Sequence, residues 1–135
     1  MQYGFTIVYV PDVPLTVEFY RKAFGFKTRF LHPSQEYAEL ATGMTRLAFA
    51  SHRLAKDNLP DGFRPISLRD QQPCGIEIAF MADDVPAAMQ QAIDAGATLL
   101  VDAVVKPWGQ TVGYVRDING MLIEICSPIQ TADSL

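Results

Sequence analysis

GIEIAFMADDVPAAMQQAIDAGATLL (Gly75–Leu100) and VVKPWGQTVGYVRDINGMLIEICS (Val104–Ser127) together spell a β-α-β-β-β unit. The first opens as an apolar strand. A helix follows, started by Asp84 and Pro86 and stopped at Gly96, the acid near the orphan amides and the proline where its missing N–H costs nothing. The chain then returns to β-rich sequence, and the second stretch adds two strands joined by DING (Asp117–Gly120). Laying FTIVYVPDVP (Phe5–Pro14) over EIAFMADDVP (Glu77–Pro86) matches Asp12 with Asp84, Val13 with Val85 and Pro14 with Pro86. The same module is written twice.

Working outward, Tyr3–Val10 reads as a strand with Phe5, Ile7 and Tyr9 on one face. Thr16, Phe19, Tyr20, Ala23 and Phe24 recur at helical spacing, and Gly25 ends that helix. Strands are expected at 26–31, 36–41 and 46–50, and in the second module at 75–82, 98–104, 110–116 and 121–126. The stretch 52–73 is polar, holds three prolines and shows no period. A single domain is thus expected over 1–135, with modules at 3–51 and 75–127 and a connection at 52–74 that is functional, mobile or simple linkage.

A chain of 135 residues buries about two-thirds of its unfolded surface and so holds a core. It is 49% hydrophobic and 19% charged, with no apolar run of membrane-spanning length. The N-terminus lacks the basic and small-residue signals of a leader, so a cytoplasmic location is expected. Eleven basic against fifteen acidic residues give a net charge of -4, and no basic cluster is present to neutralise a row of phosphates. Neither nucleic acid nor membrane is an expected partner. Cys74 and Cys126 belong to no CxxC or Cys/His pattern, which leaves free thiols rather than a disulfide framework or zinc site.

Helices covering one face of each sheet leave the other faces to curve together around a groove. Glu77, among Ile76, Ile78 and Phe80, and Glu124, within LIEIC, are the isolated carboxylates of their strands. Such a group must be solvated, paired or ligating, because burying it alone costs several kcal/mol. Arg116 or Lys106 would be the plain partner. If the two acids face each other, the like charges raise one pKa, which suits acid/base chemistry or recognition of a basic group. Tyr9 shares the face of Phe5, and Trp108, the one Trp, sits in the KPWGQ turn where an indole can stack on a planar ligand. Across the DING hairpin a two-residue loop pairs Val115 with Glu124, whereas a longer turn with a bulge pairs Tyr114 with it.

The sequence resembles the vicinal oxygen chelate superfamily, which includes glyoxalase I, the bleomycin and fosfomycin resistance proteins and the extradiol dioxygenases. The resemblance rests on the doubled module, on FTIVYVPDVPLTVEFYRKAFGF (Phe5–Phe26) and on GQTVGYVRDINGMLIEICSP (Gly109–Pro128), where many members read close to F-x-DPDG-x-x-IE. It implies an α+β fold of two βαβββ modules whose curved mixed sheets enclose a groove, a homodimer, and the longer hairpin turn that brings in Tyr114. It also implies metal-ligand positions on the first and last strand of each module. These fall on Phe5 and Ala48, which cannot coordinate, and on Glu77 and Glu124, which can. Two carboxylates with water suit Mg or Mn, held weakly, while Zn or Ni would want histidine. His32 and His52 are off the motif positions.

The expectation is therefore a glyoxalase/bleomycin-resistance-like protein that binds a small organic molecule in a groove lined by Phe5, Tyr9, Trp108, Tyr114, Glu77 and Glu124, with an incomplete metal site. No tightly held cofactor is expected. The alternative is a divalent-metal lyase or isomerase, similar to lactoylglutathione lyase, in which Glu77 and Glu124 are the catalytic metal ligands. A purely structural domain fits less well, since internal carboxylates would be a needless cost there.

Overall fold

A computed structural model describes residues 1–129 and divides the chain into two compact units, Met1–Ser67 and Leu68–Leu135. The first unit runs β1 (Thr6–Val10), α1 (Val13–Phe24), β2 (Thr28–Leu31), β3 (Tyr37–Leu40), β4 (Leu47–Ser51) and α2 (His52–Asn58). Its sheet has the order β1-β4-β3-β2, with β1 parallel to β4 and the other neighbours antiparallel. The Asp12 carboxylate accepts the Leu15 N–H at 2.9 Å to cap α1, and Gly25, at φ 77°, ends the helix by donating to Arg21. Only a residue free of a Cβ takes that left-handed stop cheaply.

Alternation along the paired strands sends Val8, Val10, Ala38, Leu40 and Phe49 to the face under α1, where Phe19, Tyr20 and Ala23 are buried with them. The Tyr20 and Phe49 rings meet at 4.8 Å, and burying a large apolar side chain is worth about 1.5–3 kcal/mol. Ile7, Tyr9, Tyr37, Glu39, Ala48 and Ala50 share the open face.

The connection opens with structure the sequence did not announce. Ser51 caps α2 by accepting from Leu54 N–H at 3.0 Å; seven residues are too few for a helical period to stand out. A turn from Leu59 to Gly62 then brings the Phe63 ring to 5.2 Å from Tyr9 and 5.5 Å from His52.

The second unit repeats the order: β5 (Glu77–Met81), α3 (Val85–Ala95), β6 (Thr98–Val105), β7 (Thr111–Arg116) and β8 (Leu122–Cys126). Its sheet is β5-β8-β7-β6, again with one parallel pair, β5 and β8. Neither sheet closes on itself. Several strands are shorter than their apolar runs; β1, for instance, begins at Thr6 because its neighbour β4 begins at Leu47, opposite it. No helix among the described residues is long and apolar enough to cross a membrane.

Gly113 lies on the α3 side of β7, where a methyl group would collide with the Met89 side chain and come within 3.2 Å of the Ala103 Cα. Overpacking of that kind costs about 1–3 kcal/mol. Gly113→Ala is therefore expected to lose stability on that scale in urea titrations, whereas Gly75→Ala, with nothing near the added methyl, stays within about 0.5 kcal/mol of wild type. Equal stabilities for the two variants would contradict this packing.

Candidate functional site

The hairpin between β7 and β8 takes the longer of the two turns. Gly120, at φ 100°, closes it by donating to Asp117 O at 3.1 Å, and Asp117 N–H bonds to Met121 O at 2.9 Å. The buried Asp117 carboxylate accepts the Asn119 and Met121 amides at 2.8 and 2.9 Å. The register that follows sets Tyr114 opposite Glu124 and Arg116 opposite Leu122. Parallel pairing sets Ala79 beside Glu124 and Glu77 beside Leu122, so Glu77, Tyr114 and Glu124 share the open face, away from α3.

Tyr114 donates its hydroxyl to Glu124 Oε1 at 2.9 Å. Partial burial, followed by the bond to Glu124 and its charge, pushes the phenol up to about 12. The Glu77 carboxyl is also raised, first by partial burial, then by the charge of Glu124 and hydrogen bonding to it. Burial and then Glu124 raise the Cys126 thiol as well. No ion pair joins either glutamate to a described residue. Arg116 is buried and ties its guanidinium to Gly120 O and Asp70 O at 3.1 and 2.8 Å. One acid biased towards keeping its proton beside a second that accepts a phenol has the parts for proton transfer or for holding a cation.

Trp108 is 66% exposed. Its indole N–H donates to Gln110 Oε1 at 2.9 Å, and the Gln110 amide donates to Ser127 O at 2.9 Å. Gly109, Gln110, Pro128 and Ile129 complete a hollow of about 120 Å³ around the ring. Phe5 and Tyr9 belong to the first unit: Phe5 is 43% exposed just before β1, with the Arg46 guanidinium 5.4 Å above its ring, and Tyr9 is half-buried against Phe63.

The Glyoxalase/Bleomycin resistance protein/Dioxygenase superfamily model matches residues 2–125. The chain belongs to that superfamily. Among solved structures, a glyoxalase-related enzyme from Fulvimarina pelagi is 22% identical, with 94% of this chain and 88% of that one covered and a TM-score of 0.79. A glyoxalase/bleomycin resistance protein/dioxygenase family enzyme from Burkholderia phytofirmans PsJN is 19% identical over 93% and 97% of the two chains, with a TM-score of 0.76. TioX from Micromonospora sp. ML1 is 20% identical over 94% and 98%, with a TM-score of 0.68. At these identities the likeness concerns the fold. No curated protein matches the chain.

Of the four metal-ligand positions that the resemblance implies, only those of Glu77 and Glu124 carry side chains able to coordinate. Among the described residues no group of three His, Cys, Asp or Glu could hold a metal ion. Ala48 is fully buried and Phe5 is an apolar ring. His32 Nδ1 is engaged by Ser34, and His52 packs on Phe63 with its Nε2 buried and unbonded among the described residues.

The first unit's open face holds two further side chains, one with a signal in the sequence and one without. Glu39 sits on the first sheet's open face and accepts the Tyr37 hydroxyl at 3.0 Å; its isolation within YAEL is the same signal that singled out Glu77. Phe63, from the aperiodic connection, had no such signal.

The raised Glu77 value makes a pH prediction. A folded-state pKa above the unfolded one means that the folded state favours the protonated acid, so the associated stability is full below the ordinary carboxylate range and is lost as pH rises through the raised value. Glu77→Gln is uncharged throughout. It should be more stable than wild type at neutral pH, by a margin that vanishes below about pH 4. Thermal melts across that range check it, and a variant no more stable than wild type at neutral pH would contradict the like-charge contact.

Proposed function

We propose that this superfamily member binds a small organic cation with a planar ring on the carboxylate-bearing open face of the second sheet. The observation that carries the reading is that Glu77 and Glu124 share one face of adjacent strands, with no ion pair to either among the described residues. An incoming ammonium or amidinium relieves the repulsion and supplies the missing donors. Hydrogen bonds to charged groups contribute about 1.5–3 kcal/mol each. Ring contacts with the exposed Trp108 and half-buried Tyr114 add about 0.5–1.5 kcal/mol per pair.

Proflavine, a flat cation, is a direct probe because the chain has one Trp whose emission reports binding. In chelator-treated protein, proflavine should quench that emission saturably, and Glu124→Gln should weaken it at least about tenfold, the loss of one charged contact. Binding that ignores Glu124→Gln would defeat the proposal. So would a stoichiometric, micromolar Mn, Mg, Ni or Zn site lost in Glu124→Gln, which would instead support a metal-dependent lyase or isomerase using Glu77 and Glu124.

A further inference from the structure

Gln110 is buried at the head of β7, and the ladder runs past the strand ends beside it: Ser127 N–H donates to Thr111 O, and Thr111 N–H to Ser127 Oγ, both at 2.9 Å. Strand alternation continued through this pairing puts Gln110 on the same side as Val112 and Tyr114, the open face. Its amide is used at both ends, the oxygen taking the Trp108 indole N–H and the nitrogen donating to Ser127 O. The indole is thereby clamped to the sheet while two-thirds of its surface stays exposed. An exposed aromatic that is already oriented loses little entropy when a ring stacks on it.

Ser127 is three residues beyond Glu124 and five beyond Leu122, the neighbour of Glu77, which at a strand rise of about 3.3 Å places the clamp about 10 Å along β8 from Glu124 and about 16 Å from Glu77. We infer that the ligand is elongated, a cationic end at Glu124, with Glu77 on its far side, and an aryl group at least about 10 Å from Glu124 on Trp108, with Gln110 as the positioning residue that sets the plane of the indole. This rests on the cation-binding reading and narrows its ligand class. Gln110 touches no ligand itself; it acts through Trp108.

The test is a ruler. Titration of the full chain with ω-phenylalkylammonium ions, from phenylmethyl to phenyloctyl, is expected to show affinity rising steeply once the extended chain reaches about 10 Å. Gln110→Leu and Trp108→Ala should both flatten that rise, with an unchanged far-ultraviolet circular dichroism spectrum showing that the sheet is still folded. Gln110→Leu should in addition lower the steady-state anisotropy of Trp108 emission, a readout that a merely structural glutamine would not move. A series that binds with no length dependence but is weakened by Glu124→Gln overturns this inference and leaves the cation reading standing. A steep rise that survives Gln110→Leu overturns the positioning role. Failure of every member to bind overturns the cation reading itself, and this inference with it.

Discussion

The register of the β7–β8 hairpin is the constraint on which the candidate site depends. Asp117, buried with its carboxylate on two backbone amides, and Gly120, in a left-handed conformation, hold a turn that pairs Tyr114 with Glu124. Side chains in a strand alternate, so a slip of one residue would set Val115 opposite Glu124 and send one partner to the α3 side. The phenol–carboxylate bond follows from four residues at the far end of the hairpin, while the parallel pairing of β5 with β8 brings Glu77 to the same face.

That register concentrates negative charge where little neutralises it. Tyr114 satisfies one oxygen of Glu124 without cancelling its charge, and Arg116, the nearest cation in sequence, spends hydrogen bonds on backbone carbonyls of its own unit. The cost at neutral pH falls on the raised Glu77 carboxyl, whereas Tyr114 and Cys126, also raised, simply keep their protons there. In the proposed reading, such a face is pre-organised for a positively charged partner. In the first unit Ala48 and Phe5 occupy the positions equivalent to Glu124 and Glu77, and the acid moves to Glu39, which Tyr37 bonds. The repeat preserves the frame while the chemistry differs between its halves.

Much of this frame was legible in the residues. Asp12 with Pro14 and Asp84 with Pro86 mark both helix starts, and Gly25 and Gly96 both ends, because capping is local chemistry that needs no tertiary context. Glu77 and Glu124 stood out because a carboxylate in an apolar strand has few places to go. Features made by tertiary contact were not legible. α2 is too short to display a period, Phe63 reaches Tyr9 only through the turn before it, and Gln110 looks like an ordinary polar residue until its amide is seen to bridge Trp108 and Ser127. The choice between Tyr114 and Val115 could not be made from strand alternation alone, since both turns are compatible with DING.

The central claim is that Glu77 and Glu124 share one unneutralised field. The most direct measurement is a carbon-13 NMR titration of the glutamate side-chain carboxyls in wild type and in Glu124→Gln. The account predicts a Glu77 midpoint above the ordinary value of about 4.3 in wild type and a fall towards it when Glu124 is made neutral. A Glu77 midpoint at the ordinary value in wild type, or one that Glu124→Gln leaves unchanged, would contradict it.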